Sequence, residues 1–179
     1  MLIPPLANRF VTVLLLLTSL SWLGGCATPL DSPLHDPHAA ARQRILATAE
    51  QLIGTPYVLG GESPTGVDCS GLVQYAYLQA GIPLPRTSMQ QFQAAQPQRR
   101  VLPGDLLFFR TGRSSEVSHV GIYAGNGQMI HASSSSRQVR KVKLNQRYWR
   151  QRMVGGATFL AIGGAPVARR GIFSEKPSS

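Results

Sequence analysis

Apolar residues recur at helical spacing in two segments of the first half of the chain. In the first segment they are Ile45, Ala49, Leu52 and Ile53. Asp36-Pro37 supplies an N-cap and a proline at the first helical position, and Gly54 supplies a stop. In the second segment they are Leu72, Val73, Ala76 and Ala80. The pattern predicts a helix that ends before Gly54, a second from Cys69 to about Ala80, and a short third near Ser88 to Ala94.

The apolar period changes to that of strands after Leu102. A short segment that contains Tyr148-Trp149 separates the last two predicted strands. The five strands run from Leu106 to Phe109, Val117 to Ala124, Gln128 to Ala132, Val139 to Leu144 and Ala157 to Ile162. Helices first and an antiparallel sheet afterwards predict one α+β domain over residues 37–162.

The two ends of the chain differ from this domain. Residues 1–25 hold one basic residue, an apolar run too short to span a bilayer, and small residues before Cys26, which is typical of a lipoprotein signal peptide. Cys26 would then be acylated as the first mature residue; an ordinary secretory signal with an incidental cysteine is the alternative. Ala27 in the next position favours a lipid anchor in the outer membrane, on its periplasmic face. We expect residues 26–36 to be a flexible tether and residues 163–179 a loose tail.

The formal net charge is +10, and basic residues collect late in the chain. They are Arg137, Arg140, Lys141, Lys143, Arg147, Arg150 and Arg152. This charge suits an acidic polymer such as peptidoglycan, or anionic lipid headgroups, because opposite charge raises local concentration. Nucleic acid is a poor candidate for an exported protein. A basic face that only aids solubility is the alternative.

A lipid on Cys26 leaves Cys69 as an unpaired thiol in an oxidising compartment, which favours a reactive residue over a disulfide. With Asp68 as the N-cap, Cys69 takes the first helical position, where the helix dipole and free N–H groups favour the thiolate. The charge of Asp68 opposes this, so the thiol needs a base. The Cys69 N–H could also form half of an oxyanion hole. A small buried hydrophobic residue is the alternative interpretation of Cys69.

His119 and His131 lie on the two strands of the predicted hairpin. A two-residue Asn126-Gly127 loop would put them on opposite faces of the sheet. A three-residue Gly125-Asn126-Gly127 loop closed by a glycine bulge pairs Gly121 with His131, so both histidines share a face. That register also groups Val120, Ile122, Ile130 and Ala132 on the other face. We therefore expect the three-residue loop, with His119 as the base and His131 orienting its ring.

Two other interpretations of these side chains are open. Either histidine could cap or pack in a polar corner. Cys69, His119 and His131 could also hold zinc with an open position for water. Zinc sites usually take a close ligand pair from one turn or strand, and the sequence has none here. We therefore expect no metal and no cofactor.

Seven short motifs follow one another along about residues 40–162: Gly54-Thr55-Pro56-Tyr57, Gly60-Gly61, Asp68-Cys69-Ser70-Gly71-Leu72-Val73, Leu84-Pro85-Arg86, Pro103-Gly104-Asp105-Leu106, His119-Val120-Gly121-Ile122-Tyr123 and Ile130-His131-Ala132. Together they resemble the NlpC family of bacterial cell-wall cysteine peptidases, and most of all its small lipoprotein members in Gram-negative bacteria. The resemblance implies a papain-like fold with N-terminal helices packed on a central antiparallel sheet. It also implies hydrolysis of peptidoglycan at stem-peptide or cross-link bonds that involve D-amino acids and often diaminopimelate.

By the same resemblance Cys69, His119 and His131 are the catalytic residues. Tyr57 lies beside the nucleophile and donates to the oxyanion, although an aromatic residue that merely closes the loop explains it as well. Asp68 and Ser70 match positions that contact the substrate. Two departures, Leu59 in place of an aromatic residue and Arg137-Gln138 in place of small residues, bear on the substrate rather than on the chemistry. An idle wall-binding lipoprotein, or an amidase or acyltransferase with the same triad, is the alternative function; we expect a monomer.

Overall fold

The structure, a computed structural model, describes residues 36–160. The predicted signal peptide, the lipidation site at Cys26, almost all of the tether and the tail lie outside these residues. The elements follow in chain order: α1 (Ala39–Gln51), β1 (Glu62–Ser63), β2 (Gly66–Val67), α2 (Cys69–Gln79), α3 (Ser88–Ala94), β3 (Gln96–Gln98), β4 (Leu106–Phe109), β5 (His119–Gly125), β6 (Gln128–Ser133), β7 (Gln138–Lys143), α4 (Arg147–Arg152) and β8 (Met153–Thr158).

Six of the strands form one antiparallel sheet in the order β3-β8-β4-β5-β6-β7. β1 and β2 form a separate two-stranded sheet within the loop that leads to α2. Helices come first and the sheet afterwards, as the α+β prediction required. None of the helices in residues 36–160 is both long and apolar enough to cross a membrane.

The sheet has an apolar cluster on each face, because side chains alternate along every strand. Val120, Ile122, Ile130 and Ala132 are fully buried in the larger cluster, together with residues of α1 and α2. The smaller cluster, on the opposite face, contains Leu107, Phe109, Met129 and Trp149. The helices thus cover one face of β5 and β6, and α4 brings Trp149 onto the other.

A buried polar network ties α1 to the turn before β4. Arg42 Nη1 contacts Asp105 Oδ1 at 2.7 Å, and Arg42 Nε contacts Asp36 Oδ2 at 2.7 Å. Asp105 Oδ2 accepts the Leu102 N–H at 2.7 Å. The buried Tyr77 hydroxyl, from α2, donates to the Gly104 carbonyl in the same turn. The bonds to Asp105 and from Tyr77 satisfy polar groups that burial would otherwise leave unpaired, whereas Arg42 Nε has the charge of Asp36 beside it but no aligned hydrogen bond.

The β5–β6 hairpin has the predicted register but a different loop. Ile122 pairs with Ile130, which puts Gly121 opposite His131, as expected. Gly125, however, pairs with Gln128, so the loop has two residues, and the extra residue forms a bulge between Tyr123 and Gly125. Gly125, Asn126 and Gly127 all have positive φ, which glycine and asparagine tolerate best. The predicted three-residue loop was therefore wrong, while the predicted faces are confirmed.

Several predicted boundaries were also wrong. α1 begins at Ala39 because Asp36 and Pro37 form a preceding turn, in which Asp36 accepts the His38 N–H. Its predicted face is only partly buried, because Ile53 lies beyond the helix and is 43% exposed. Among the strands, β5 begins two residues late at His119, and β8 begins at Met153, four residues before Ala157. The segment around Tyr148-Trp149 is a helix, and β3 was missed.

Candidate active site

Cys69 is the first residue of α2, and Asp68 is its N-cap. The Asp68 backbone is extended, with φ −92° and ψ −176°, and its carboxylate accepts the Gly71 N–H at 2.8 Å. This geometry is the one that an N-cap aspartate gives a helix. The thiol is therefore held at the positive end of the helix, as the sequence predicted.

Burial is the main influence on the Cys69 thiol and raises its pKa above the ordinary value. The charge of Asp68 raises the pKa further, whereas the backbone N–H groups of Val120, Ser70 and Cys69 itself lower it. The net effect keeps a neutral thiol at pH 7, so attack on a carbonyl needs a base. Since the Val120 N–H acts directly on the thiol, the sulfur lies at the start of β5, where His119 is the residue before Val120.

His119 and His131 are in direct contact, with His119 Nε2 3.0 Å from His131 Nδ1. Burial lowers the pKa of His119 to about 3, and the charge of His131 adds to the shift. Burial also lowers the pKa of His131 to about 4, and the charge of Arg140 adds to that shift. Both rings are therefore neutral at pH 7, and the Nδ1 of His119 is left outside the pair.

Trp149 packs against both histidines, and sequence reasoning missed it. Its ring stacks on His119 at 5.7 Å between centroids with an interplanar angle of 23°, and it meets His131 edge-on at 4.9 Å. Phe109 lies behind, 5.0 Å from the Trp149 ring. No periodic pattern marks an isolated tryptophan in a polar segment as a partner of residues on distant strands. The contact follows only from the fold of α4 over the sheet.

Asp68 and Ser70, predicted to contact substrate, are both bound by Arg86. Arg86 donates to both Asp68 carboxylate oxygens at 3.1 and 2.7 Å, and to the Ser70 hydroxyl at 2.9 Å. Burial would raise the pKa of Asp68, but hydrogen bonds from Arg86, Gly71 and Gly60 outweigh it and lower the pKa. Arg86 also pairs with Glu62. Arg86 belongs to the Leu84-Pro85-Arg86 motif of the family resemblance, but the sequence alone assigned no role to this arginine.

Tyr57 lies beside Cys69 and Asp68. Its hydroxyl has a raised pKa, because of burial first and then the charges of Cys69 and Asp68. Its backbone is fixed from two sides, since Tyr57 N–H donates to the Arg137 carbonyl at 2.9 Å and Tyr57 bridges to Val67. The phenol is therefore protonated at pH 7 and is able to donate a hydrogen bond near the thiol.

A cavity of about 460 Å³ opens beside the histidine pair. His119, His131 and Trp149 form one wall. The rest is mostly polar, with Val142 as an apolar member, and includes Thr111, Ser134, Ser135, Arg140, Gln146 and Tyr148. Leu59, one of the two departures from the family pattern, is 83% exposed and does not line this cavity.

Within residues 36–160 no three His, Cys, Asp or Glu side chains are grouped closely enough to hold a metal ion. The structure thus brings His119 and His131 together and sets Cys69 against β5, without the ligand cluster that the zinc alternative requires.

The sequence profile of the NlpC/P60 family matches residues 54–158. The chain is 41% identical over 132 residues to the murein DD-endopeptidase MepH of Escherichia coli strain K12, which covers 68% of this chain and 49% of that protein. It is 45% identical over 125 residues to gamma-DL-glutamyl hydrolase of Bacillus subtilis strain 168, covering 67% of this chain and 30% of the relative. The chain therefore spans about half or less of these curated relatives.

A solved structure of the peptidoglycan hydrolase RipB from Mycobacterium tuberculosis superposes with a TM-score of 0.57 at 30% identity. The match covers 86% of this chain and 84% of that one. An NLP/P60-family protein of Staphylococcus aureus matches with a TM-score of 0.63 at 34% identity, over 73% of this chain and 45% of the other. The predicted papain-like α+β fold is confirmed by these likenesses.

Proposed function

We propose, because the chain belongs to the NlpC/P60 family, that it is a cysteine peptidase that hydrolyses peptide bonds of peptidoglycan. The observation that carries the proposal is the 3.0 Å contact between His119 and His131 beside the thiol at the start of α2. The substrate class is supported by relatives that are described as a murein DD-endopeptidase and a gamma-DL-glutamyl hydrolase. An idle scaffold has no use for this arrangement.

In the proposed mechanism His119 is the general base. When His131 Nδ1 accepts the hydrogen bond from His119 Nε2–H, the lone pair of His119 is on Nδ1 and can take the thiol proton. The Cys69 sulfur then attacks the carbonyl carbon of the peptide. The oxyanion is held by the Cys69 N–H and the Tyr57 hydroxyl.

The acyl-enzyme forms and breaks with balanced proton transfers. As the carbon–nitrogen bond breaks, His119 returns the proton to the leaving amine and a thioester to Cys69 remains. His119 then takes a proton from water, and the resulting hydroxide attacks the thioester carbon. The sulfur leaves as the thiolate and is reprotonated by His119. Asp68, Ser70 and Arg86 provide a polar surface for the substrate next to the nucleophile.

The first test is Cys69→Ala in purified protein with isolated peptidoglycan. We expect product peaks to disappear while the circular dichroism spectrum is unchanged, because Cys69 is only half-buried and Ala is a good helix former. Masses of the wild-type products should report new amine and carboxyl ends at a bond beside a D-amino acid. Cleavage by Cys69→Ala would refute the mechanism, and products from another amide or from lipid would support the amidase or acyltransferase alternative.

We also propose that the protein is anchored by a lipid on Cys26 to the periplasmic face of the outer membrane. The support is the sequence pattern of residues 1–27, which resembles a lipoprotein signal. In a Gram-negative host, wild-type protein should incorporate a labelled fatty acid and fractionate with the outer membrane. Cys26→Ser should lose both properties. Labelling of Cys26→Ser to the wild-type level would contradict the proposal.

A further inference from the structure

The polar cavity beside the histidine pair contains one cation that has no carboxylate partner among the described residues. Arg42, Arg86 and Lys141 are ion-paired with acids within residues 36–160, whereas Arg140 is not. Arg140 is exposed and lines the cavity, and no acidic side chain lines it. A guanidinium in such a position presents a fork of donors that matches a carboxylate.

The sheet fixes the direction of this arginine. Arg140 on β7 is directly opposite His131 on β6, so the two side chains project from the same face, about 5 Å apart at Cβ. Lys141, the next residue, faces the other side of the sheet and pairs with Glu50 of α1. The alternation of one strand therefore sends Lys141 to the helices and Arg140 to the cavity.

We propose that this cavity is a subsite for a free carboxylate of the substrate, bound by Arg140 next to the bond that is cleaved. The inference rests on the proposed function, because the ligand is a group of the same peptide. The Ser134 and Ser135 hydroxyls, Gln146 and Tyr148 line the same cavity and offer further donors. The peptide stems of peptidoglycan offer side-chain and terminal carboxylates. The cavity shares His119 and His131 with the catalytic site, whereas Cys69 does not line it, so the carboxylate would lie across the histidine pair from the carbonyl at Cys69.

The test compares two synthetic stem peptides that differ only in whether the carboxylate beside the scissile bond is free or amidated. We expect the wild type to prefer the free acid about tenfold or more in kcat/KM. Arg140→Ala should lower kcat/KM for the free acid by roughly tenfold to a hundredfold, mainly through KM, and leave the amidated peptide nearly unchanged. Arg140→Lys should retain part of the preference, because it keeps the charge but not the fork.

Arg150→Ala is the matched control. It removes the same charge from an exposed position of α4 that does not line the cavity, so the preference should stay at the wild-type level. A wild type without preference would overturn the subsite. So would an Arg140→Ala variant that keeps the preference, or one that loses the same factor on both peptides.

Binding separates this inference from the proposed function. Calorimetry with Cys69→Ala should give a tighter Kd for the free acid than for the amidated peptide, and adding Arg140→Ala should abolish the difference. Equal Kd values would refute the subsite even if the wild type cleaves both peptides. If the wild type cleaves neither peptide, the proposed function fails, and the Kd difference still decides whether Arg140 binds a carboxylate.

Discussion

Cys69 carries a thiol whose pKa is raised, and this makes its reactivity depend on pH in a particular way. Because burial and the Asp68 charge disfavour the thiolate, the rate of alkylation by iodoacetamide should still increase above pH 9. Hydrolysis should already be active near pH 6, since His119 and His131 have pKa values of about 3 and about 4 and remain unprotonated there.

The direction in which hydrolysis depends on pH follows from the pKa of the histidine base. A lowered histidine pKa keeps the base unprotonated down to acidic pH, so kcat/KM should decline only as pH falls well below 6.5. His119→Gln should lose hydrolysis while its alkylation still increases at alkaline pH. An alkylation rate that levels off below pH 7 would indicate a stable thiolate–imidazolium pair and would contradict the neutral thiol.

Trp149 packs against both histidines, and we expect it to position them rather than to take part in the proton transfers. Replacing Trp149 with Ala opens the pair to water, so both pKa values should rise towards 6.5 and the acid limb of kcat/KM should move up by about one pH unit or more. Trp149→Phe retains an aromatic ring against His119 and should restore most of the wild-type profile. A variant that unfolds more easily but keeps the wild-type acid limb would show that Trp149 only packs.

The three catalytic candidates could be predicted from the sequence, whereas the residues that contact them could not. Cys69, His119 and His131 follow from a cysteine at a helix start and a hairpin register, both of which are local patterns. Trp149 and Arg140 act across elements, and neither has a spacing that marks it. Their contacts depend on how α4 and β7 pack, which local pattern does not specify.

At the scale of elements, the start of α2 depends on a close approach of two backbones. A Cβ added at Gly71 would come within 2.0 Å of the Gly61 carbonyl oxygen. The same loop holds the helix through Asp68, whose N–H donates to that carbonyl at 3.1 Å and whose carboxylate accepts the Gly60 N–H. A side chain at position 71 would therefore push the loop and the start of α2 apart and displace Cys69.

We accordingly expect Gly71→Ala to lower both the free energy of unfolding and kcat/KM. The destabilisation should be about 1–3 kcal/mol, because overpacking forces the backbone apart. Gly155→Ala in β8 is the matched control, since a Cβ there meets no atom within 4 Å and the backbone φ is outside the left-handed region. Denaturant unfolding and peptide hydrolysis measure the two effects. Equal stability of the two variants would contradict the close approach.

Helices and strands with a clear apolar pattern could be predicted from the sequence. Strands that form only because a neighbouring strand pairs with them could not. α2 agrees with prediction because its apolar residues recur at helical spacing, and β4 agrees because it is a continuous apolar run. α3 also agrees with prediction, and Thr87 and Gln90 form a capping box at its start. β8 begins early, at Met153-Val154-Gly155-Gly156, because β4 pairs with this glycine-containing segment that has little strand propensity of its own. β3 contains Pro97, and a proline in a glutamine-rich segment predicts a connection rather than a strand. It nevertheless pairs along the edge of the sheet, where a missing N–H is tolerated.

At the scale of the whole molecule, charge is distributed unevenly. Five of the acidic side chains within residues 36–160 are ion-paired, and Lys141 is the one member of the basic stretch that they pair with among these residues. The arginines of that stretch have no ion-pair partner there. Binding to peptidoglycan should therefore weaken as salt increases, by several-fold between 50 and 300 mM NaCl as order-of-magnitude bounds. Pull-down of Cys69→Ala with isolated cell walls measures this. Binding that does not change with salt would favour the alternative that the basic face only aids solubility.

The ion pair between Arg42 and Asp105 joins the first helix to the sheet and should control the stability of the whole domain. The Arg42 and Asp105 side chains are 10% and 1% exposed. Arg42→Ala leaves the Asp105 carboxylate buried with only the Leu102 N–H. We expect a loss of about 3–5 kcal/mol in the free energy of unfolding, because an uncompensated buried charge costs far more than the pair contributes.

A double-mutant cycle distinguishes this effect from lost packing. Asp105→Asn removes the charge that Arg42→Ala leaves unpaired, so the double variant should be less destabilised than the sum of the two single variants by about 1 kcal/mol or more. Urea unfolding at pH 7 measures all four proteins. Arg44→Ala, on the same helix but without an ion pair among the described residues, should stay close to the wild type. Strict additivity would mean that Arg42 stabilises α1 through the packing of its aliphatic stem, and that the ion pair does not anchor the helix to the sheet.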